Sequence, residues 1–372
     1  MNNIRKIIYE LSKLYVRLPL RLSNRLNFKI TTEFMSAVCD EFKQIRGVYT
    51  NLTCKPILNS QYTILPMENE KWKSETAIVL QGPIEHKDNF TLETIRTYQK
   101  IFPSEEIILS TWNTISEKEL KQFEDLGCHI VLSPYPKMSG RGNINYQITS
   151  SYAGVKKAKD IGCKYVIKSR TDQRITKSNI VDYMRNLIES FDSNNENQDE
   201  RLVILQGSTG CMFLPYYIAD FFYFGSVCEM MRLFSCDLQE IHFKSRDEIN
   251  KSDLEVYQKY KIGEALHRCA PQNYIMENYA RKLGRTPDGT VKEYWNFIKS
   301  CTVPVSVSQL GLVWRKYSNN IFENLWTQEY HFDDNEKCLL TYNWTFENWF
   351  NLYSGSMEYR EEYEKYKMRN KL

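Results

Sequence analysis

Between residues 76 and 172 short apolar runs alternate with stretches of helical period, and few folds accommodate that alternation. The spacing predicts strands over 76–81, 106–111, 128–132, 164–169 and 201–206. It predicts helices over 88–102, 116–126 and 177–191, and another running to about residue 160 from the Gly-rich stretch 139–147. The first strand has no apolar/polar alternation, so both its faces are buried, as in a parallel sheet covered by helices. Asp88 or Asn89 is the candidate N-cap of the first of these helices and Pro103 its stop. Gly127 suits a left-handed helix end. In open sheets of this kind ligands bind beyond the carboxyl ends of the strands, which is where Asp172 falls.

The bulk composition excludes several classes. With 42% hydrophobic and 26% charged residues in a chain of 372, wholesale disorder is excluded. A net charge of +3, from 49 basic and 46 acidic side chains, argues against nucleic-acid binding as the main activity. The ten cysteines form no Cys-x-x-Cys pair and lie near no histidine cluster. A structural zinc site is therefore not expected, and the pattern fits a reducing compartment. The sequons at Asn51, Asn89 and Asn343 read as chance matches. The 25 Tyr, 18 Phe and 7 Trp must largely be core, although Tyr and Trp in excess also suit sugar-binding surfaces.

Residues 1–30 differ in character, with Arg5, Lys6, Lys13, Arg17, Arg21, Arg25 and Lys29 interleaved among Ile7, Ile8, Leu11, Leu14, Tyr15, Val16 and Leu18. No compact apolar segment with a small-residue cleavage site is present, and no run approaches the ~20 apolar residues of a membrane span. Two readings stay open: a basic amphipathic helix lying on an anionic bilayer, and a helix packed on protein with its charges solvated. Residues 31–75 read as a helix and an irregular connection. The expected organisation is an N-terminal helix and connection over 1–75, a catalytic domain over 76–330 and a C-terminal extension over 331–372.

Several residues could carry chemistry. Asp172 stands just past a buried strand, flanked by Lys168, Arg170 and Arg174. Such an acid can bind Mg²⁺ or Mn²⁺ while the cations hold phosphate; it can equally cap a helix or pair with an arginine. Gln81, Gly82 and Pro83 form the turn after the first strand, where glycine admits a ligand close to the backbone. That turn is not a phosphate loop of either common pattern. Asn143, Asn145 and Gln147 stand at the start of the helix before the Asp172 strand, with Arg141 beside them, and can cap it or face a diphosphate. Asp220, Glu264 and Glu277 are the carboxylates weighed as a catalytic base, and His86 lies in the first turn.

On these residues the chain resembles the WavE lipopolysaccharide-synthesis family of bacterial glycosyltransferases. The resemblance rests on Gln81-Gly82-Pro83-Ile84, on Ser110-Thr111-Trp112, and on the segment from Asn143 to Ser150 with Gly154. It continues through residues 168–174, with weaker echoes at 220–225 and around Pro271. It implies an α/β, GT-A-like, Rossmann-type sheet, mostly parallel and flanked by helices, with extra N- and C-terminal helices. It also implies a nucleotide-sugar donor held by the turns named above, with Thr111 in the site and Asp172 where such enzymes place an Asp-x-Asp acid. This chain has Thr-Asp-Gln there instead, and Pro271-Gln272 where the family pattern favours Pro-Glu, which leaves Glu277 as a fallback base.

The expected activity is transfer of a sugar from a nucleotide sugar to a bacterial lipopolysaccharide or capsule glycan, free or lipid-linked. The expected location is the cytoplasm, peripheral at the inner face of the membrane. A phosphoryl or polyol-phosphate transferase would use the same cleft, and a non-catalytic glycan-binding protein could share the scaffold.

Overall fold

The runs without alternation become strands of one sheet. In a computed structural model the described residues are 2–26, 28–46, 75–205, 212–241, 245–315, 330–332, 338–340 and 343–360. The chain divides into two compact units, Met1–Lys55 and Pro56–Leu372. In the first, α1 (Asn2–Leu26) and α2 (Phe28–Arg46) pack on each other. The connection expected after α2, residues 47–74, lies outside the described residues.

The second unit carries β1 (Thr76–Gln81), α3 (Phe90–Ile101), β2 (Glu106–Trp112), α4 (Glu117–Glu124), β3 (His129–Ser133), α5 (Ile144–Asp160) and β4 (Tyr165–Arg170). A two-residue strand β5 (Gln173–Arg174), α6 (Ile180–Ser190), β6 (Leu202–Leu205), β7 (Tyr223–Ser226) and α7 (Val227–Phe234) follow. Next come α8 (Arg246–Lys259), α9 (Ile262–Cys269), α10 (Pro271–Lys282), α11 (Val291–Cys301), β8 (Thr302–Val305), α12 (Val307–Leu310) and β9 (Val313–Trp314). A short ladder of β10 (Tyr330–Phe332) with β11 (Cys338–Leu340) and the helix α13 (Phe346–Ser354) complete the described elements.

The seven-stranded sheet runs β3-β2-β1-β4-β7-β6-β8. Neighbours are parallel except at β7, which is antiparallel to both β4 and β6. The expected mostly parallel α/β sheet is therefore present. Strand order steps outward from β1 to β3 and then returns to the other side of β1. Right-handed crossovers put α3 and α4 on one face and α5 on the other. Buried Ala77, Ile78, Val79 and Leu80 show why β1 lacks alternation: helices cover both its sides.

Local signals explain most element ends. Ser116 and Glu119 form a capping box at α4, and Gly127 takes a φ of +70° beyond it, as its position suggested. Asn89 does precede α3, but in a left-handed conformation and without a side-chain cap. Two strands of the seven-stranded sheet escaped the sequence reading, as did the short β5, β9, β10 and β11 outside it. β7 lies in the aromatic run after Asp220, whose direction no periodicity reports, and β8 is a four-residue edge strand containing Pro304. Part of the expected C-terminal extension is core: α13 packs on α11 and β8, Trp344 is buried edge-on to Trp295 with centroids 4.9 Å apart, and Trp349 is buried with its Nε1 donating to Ile298 O at 3.2 Å.

Gly154 lets α5 lie close to the sheet. A Cβ there would run into Val79 Cγ1 and come within 3.1 Å of Ser110 Cβ. Glycine normally costs a helix interior about 0.5–1 kcal/mol relative to alanine. Overpacking costs about 1–3 kcal/mol, so packing should win. Gly154→Ala should lower the urea midpoint despite its better helix propensity, and Gly154→Val should lower it further.

Candidate active site

The sheet reverses its strand order between β1 and β4, and the crevice beyond their carboxyl ends is where such sheets bind ligands. Two turns meet there. Gly82, at a φ of +115°, donates its N–H to Ser110 O at 3.1 Å, which folds the chain back over β2. Thr171 donates its N–H to Gln81 O at 3.2 Å and its hydroxyl to Pro83 O at 2.5 Å. Thr91 in α3 donates its hydroxyl to Thr171 O at 2.9 Å. The Gln81 side chain is buried, and its Oε1 accepts from Ser150 Oγ of α5 at 2.7 Å. Gln81 and Gly82 thus shape the crevice, while Pro83 is exposed at its rim.

Residues two apart on a strand share a face, so Lys168 and Arg170 project to the same side of β4. Asp172 follows beyond the strand end. Arg170 grips its carboxylate at both oxygens, Nε to Oδ1 at 2.8 Å and Nη2 to Oδ2 at 3.0 Å. Trp314 Nε1 donates to Oδ2 at 3.2 Å. The tryptophan arrives on β9, which pairs antiparallel with β5, and the next residue, Arg315, donates its N–H to Asp172 O at 2.8 Å. The Arg315 side chain pairs with Asp88 in the turn after β1. Arg170 also lies over the Trp314 ring, 5.6 Å from its centroid. The pair is mostly screened from water: the side chains of Arg170 and Asp172 are 27% and 13% exposed.

Lys168 is wholly buried and donates Nζ to Asp220 O at 2.7 Å. Aromatic rings of Tyr223 and Phe234 stand 6.0 and 5.8 Å away. Burial pulls its pKa down to about 7; the Asp220 carboxylate opposes the shift, Arg170 adds to it, and Asp172 again opposes it. Gln147 Nε2 also donates to Asp220 O, at 2.5 Å. Phe221 packs against Trp314 with centroids 4.3 Å apart and the rings tilted by 47°. The Asp220 carbonyl thus accepts from both Lys168 and Gln147, its neighbour Phe221 meets Trp314, and Asp220 itself stays half-buried.

A second cluster lies at the end of β2, where Thr111 is buried. Trp112 stacks on Tyr135 with centroids 4.2 Å apart, and Tyr146 of α5 meets both rings edge-on at 5.6 and 5.4 Å. Tyr135 remains 45% exposed.

Other expected site residues are committed elsewhere. Arg174 is fully buried beneath α3: its Nε donates to Thr94 Oγ1 at 3.0 Å, its Nη2 donates to Phe90 O at 3.2 Å, and it lies 4.5 Å over the Phe90 ring. It braces α3 and does not face the crevice. Asn145 spans to the segment after α7, donating to Met138 O at 3.0 Å and Gln239 O at 2.8 Å and accepting from Gln239 N at 2.8 Å. Arg141 pairs with Asp253 of α8. The buried Glu277 carboxylate pairs with His267 Nδ1 and with Arg281 at 3.0 Å, joining α9 to α10. Glu264 pairs with Arg268 at 3.0 Å and His86 with Glu119 at 3.2 Å, both on the surface. Asn143 is exposed with a φ of +63° and makes no side-chain cap to α5, so its amide still faces outward.

The donor set does not suit a resident Mg²⁺ or Mn²⁺. Both oxygens of Asp172 already accept charge-assisted bonds, and hard cations want several free oxygens. No cluster of three His, Cys, Asp or Glu side chains occurs among the described residues. In this structure the Asp172 carboxylate that the resemblance assigns to a cation is engaged by the Arg170 guanidinium at both oxygens.

Sequence reasoning missed Thr91, Trp314, Arg315 and Tyr135, and gave no role of their own to Thr171, Tyr146 and Ser150 within the segments that carry the resemblance. Each acts across a distance in the chain that no local spacing reports, although Trp112 itself marked the end of β2.

The search of solved structures finds distant likenesses. A cytidylyltransferase from Leptospira borgpetersenii serovar Hardjo-bovis is 13% identical, with 55% of this chain and 98% of that one covered at a TM-score of 0.29. A nucleotide-diphospho-sugar transferase from Desulfovibrio desulfuricans is 10% identical, with 59% and 98% covered at 0.29. Core-mannan synthase A from Aspergillus fumigatus, in a Mn/GDP form, is 8% identical, with 68% and 79% covered at 0.26. No curated protein sequence matches the chain. The family model for WavE lipopolysaccharide synthesis matches residues 76–370, which takes in every element of the sheet and its crevice, and the chain belongs to that family.

Proposed function

We propose that this protein is a GT-A-type glycosyltransferase that moves a sugar from a nucleotide-sugar donor to a bacterial surface glycan, either lipopolysaccharide or capsule. The observation that carries the reading is the Asp172–Arg170–Trp314 cluster at the β1/β4 switch point, with Lys168 beneath it and Asp220 beside it. The stacked Trp112 and Tyr135 offer a flat apolar surface for the nucleoside end. The free amide of Asn143 and the start of α5 suit the diphosphate. The acceptor is a growing glycan on a lipid carrier, presented at a membrane surface.

The chemistry follows from where charge develops. As the bond from the anomeric carbon to the diphosphate oxygen breaks, the electron pair leaves with the phosphate, and a preorganised cation there lowers the barrier. Arg170 is oriented by Asp172 and can turn part of its fork to the phosphate, while Lys168 acts through the low-dielectric layer below. For an inverting outcome the acceptor hydroxyl attacks the anomeric carbon and its proton passes to Asp220, the half-buried carboxylate of the group. Asp172 is then a positioning residue for Arg170. Glu277 remains a poorer base, because His267 and Arg281 hold its carboxylate.

A thermal-shift screen with UDP, GDP and CDP should give a clear stabilisation with one nucleotide, and a flat response with all three would remove the donor cleft. Arg170→Ala should weaken that nucleotide about 10- to 100-fold, the worth of charge-assisted bonds. Asp220→Asn should cut sugar turnover about 10²-fold or more at unchanged nucleotide affinity. Turnover in excess EDTA should persist, because the cationic side chains carry the leaving charge. Release of a nucleoside monophosphate from a CDP-polyol would instead favour the phosphoryl-transfer reading.

The pH dependence has a definite sign. In the free protein the Lys168 amine loses its proton as pH rises through about 7. A bound diphosphate favours the ammonium and pushes that value back up. Binding should therefore take up a proton above pH 7, and affinity should fall toward pH 9 by up to about tenfold per unit. Calorimetry in two buffers of different ionisation enthalpy measures the uptake. Lys168→Met should abolish it.

A further inference from the structure

The helix α1 has two apolar sides, and within its own unit the described residues cover only one of them. Val16, Pro19 and Leu20 are half-buried, and α2 is the element on which α1 packs. On another side Ile7, Leu11, Leu14, Leu18 and Leu22 fall at helical spacing and are 54–66% exposed, with Tyr15 beside them at 87%. At 3.6 residues per turn these five leucine and isoleucine positions fall within one narrow arc. Lys13, Arg17 and Arg21 flank that arc on the exposed surface. Over its whole length α1 carries Arg5, Lys6, Lys13, Arg17, Arg21 and Arg25 against the single acid Glu10.

We infer that this face of α1 lies along an anionic phospholipid surface. A second copy of the chain is a poor occupant, because pairing identical faces would bring two strongly basic helices together. A bilayer surface satisfies both halves of the pattern: the leucines enter the headgroup boundary and the flanking cations meet anionic headgroups. The helix lies on the surface and does not span it. No helix among the described residues is long and apolar enough to cross a membrane. The inference goes beyond the transferase reading and stands on α1 alone, so its test does not need activity.

The experiment is co-sedimentation of the full chain with phosphatidylcholine vesicles, with and without about a third phosphatidylglycerol, at low and high salt. The expected result is at least tenfold tighter binding to the anionic vesicles, lost at high salt as the charges are screened. Leu14→Ser with Leu18→Ser should reduce binding at least tenfold at low salt. These positions are already exposed, and circular dichroism checks that the helices remain. Arg17→Gln with Arg21→Gln should weaken binding about tenfold or more while leaving the apolar face intact, since each surface cation is worth about 1 kcal/mol. Equal binding to neutral and anionic vesicles, or binding indifferent to both variants, would overturn the proposal. So would a dimer in sedimentation velocity that the leucine variant dissociates while vesicles are ignored.

Discussion

The tie between the turn after β1 and the turn after β4 is the constraint on which the site depends. Sheet topology brings two strand ends together, but it does not place side chains to within tenths of an ångström. Thr171 does that locally, with its N–H, hydroxyl and carbonyl all bonded to the β1 turn or α3. Gly82 is the matching half. Its φ of +115° lies where a side chain is rarely found, and a Cβ would sit 3.4 Å from Thr171 Oγ1. The crevice is thus a backbone feature held by two small residues, and the charged groups are fitted onto it.

Those charged groups are nearly balanced, and the balance explains their rigidity. Asp172 and Arg170 are both poorly exposed, and stranding either one would cost about 3–5 kcal/mol. The bidentate geometry and the Trp314 N–H offset their desolvation. Trp314 of β9 and Arg315 just after it come from far along the chain, so the strap that satisfies Asp172 also ties to Asp88 in the turn after β1. A ligand that draws Arg170 away would therefore loosen the strap's polar contact, though not its backbone ladder to β5.

The fold was more legible in the chain than the site. The strands β1, β2, β3, β4 and β6 are short apolar runs between capping and stop signals, and their ends fall within a residue or two of the expected ones. Burial on both faces leaves a strong local mark. The direction of β7 leaves none, since Tyr223 and Phe224 would be buried in either sense. Asp172, Gly82 and Arg170 were visible because position at a strand end is itself local. Arg174 shows the limit: it is two residues from Asp172, yet β5 turns it under α3 and against Phe90. The pairing of Glu277 with His267 was equally hidden, because the histidine lies on a different helix.

Burying Lys168 is the costliest choice in this arrangement, and the crevice gives a reason for it. A lysine in an apolar layer between Tyr223 and Phe234 contributes little to the fold that a methionine would not. Under the proposed reading its amine, pulled down to about 7 by burial, would gain charge when an anion binds above it, which a methionine could not do. Arg170 cannot do this, because a guanidinium stays protonated and is already matched by Asp172. The two cations then divide the work. One is fixed and directional at the crevice surface, and the other is responsive and held beneath it by the carbonyl of Asp220.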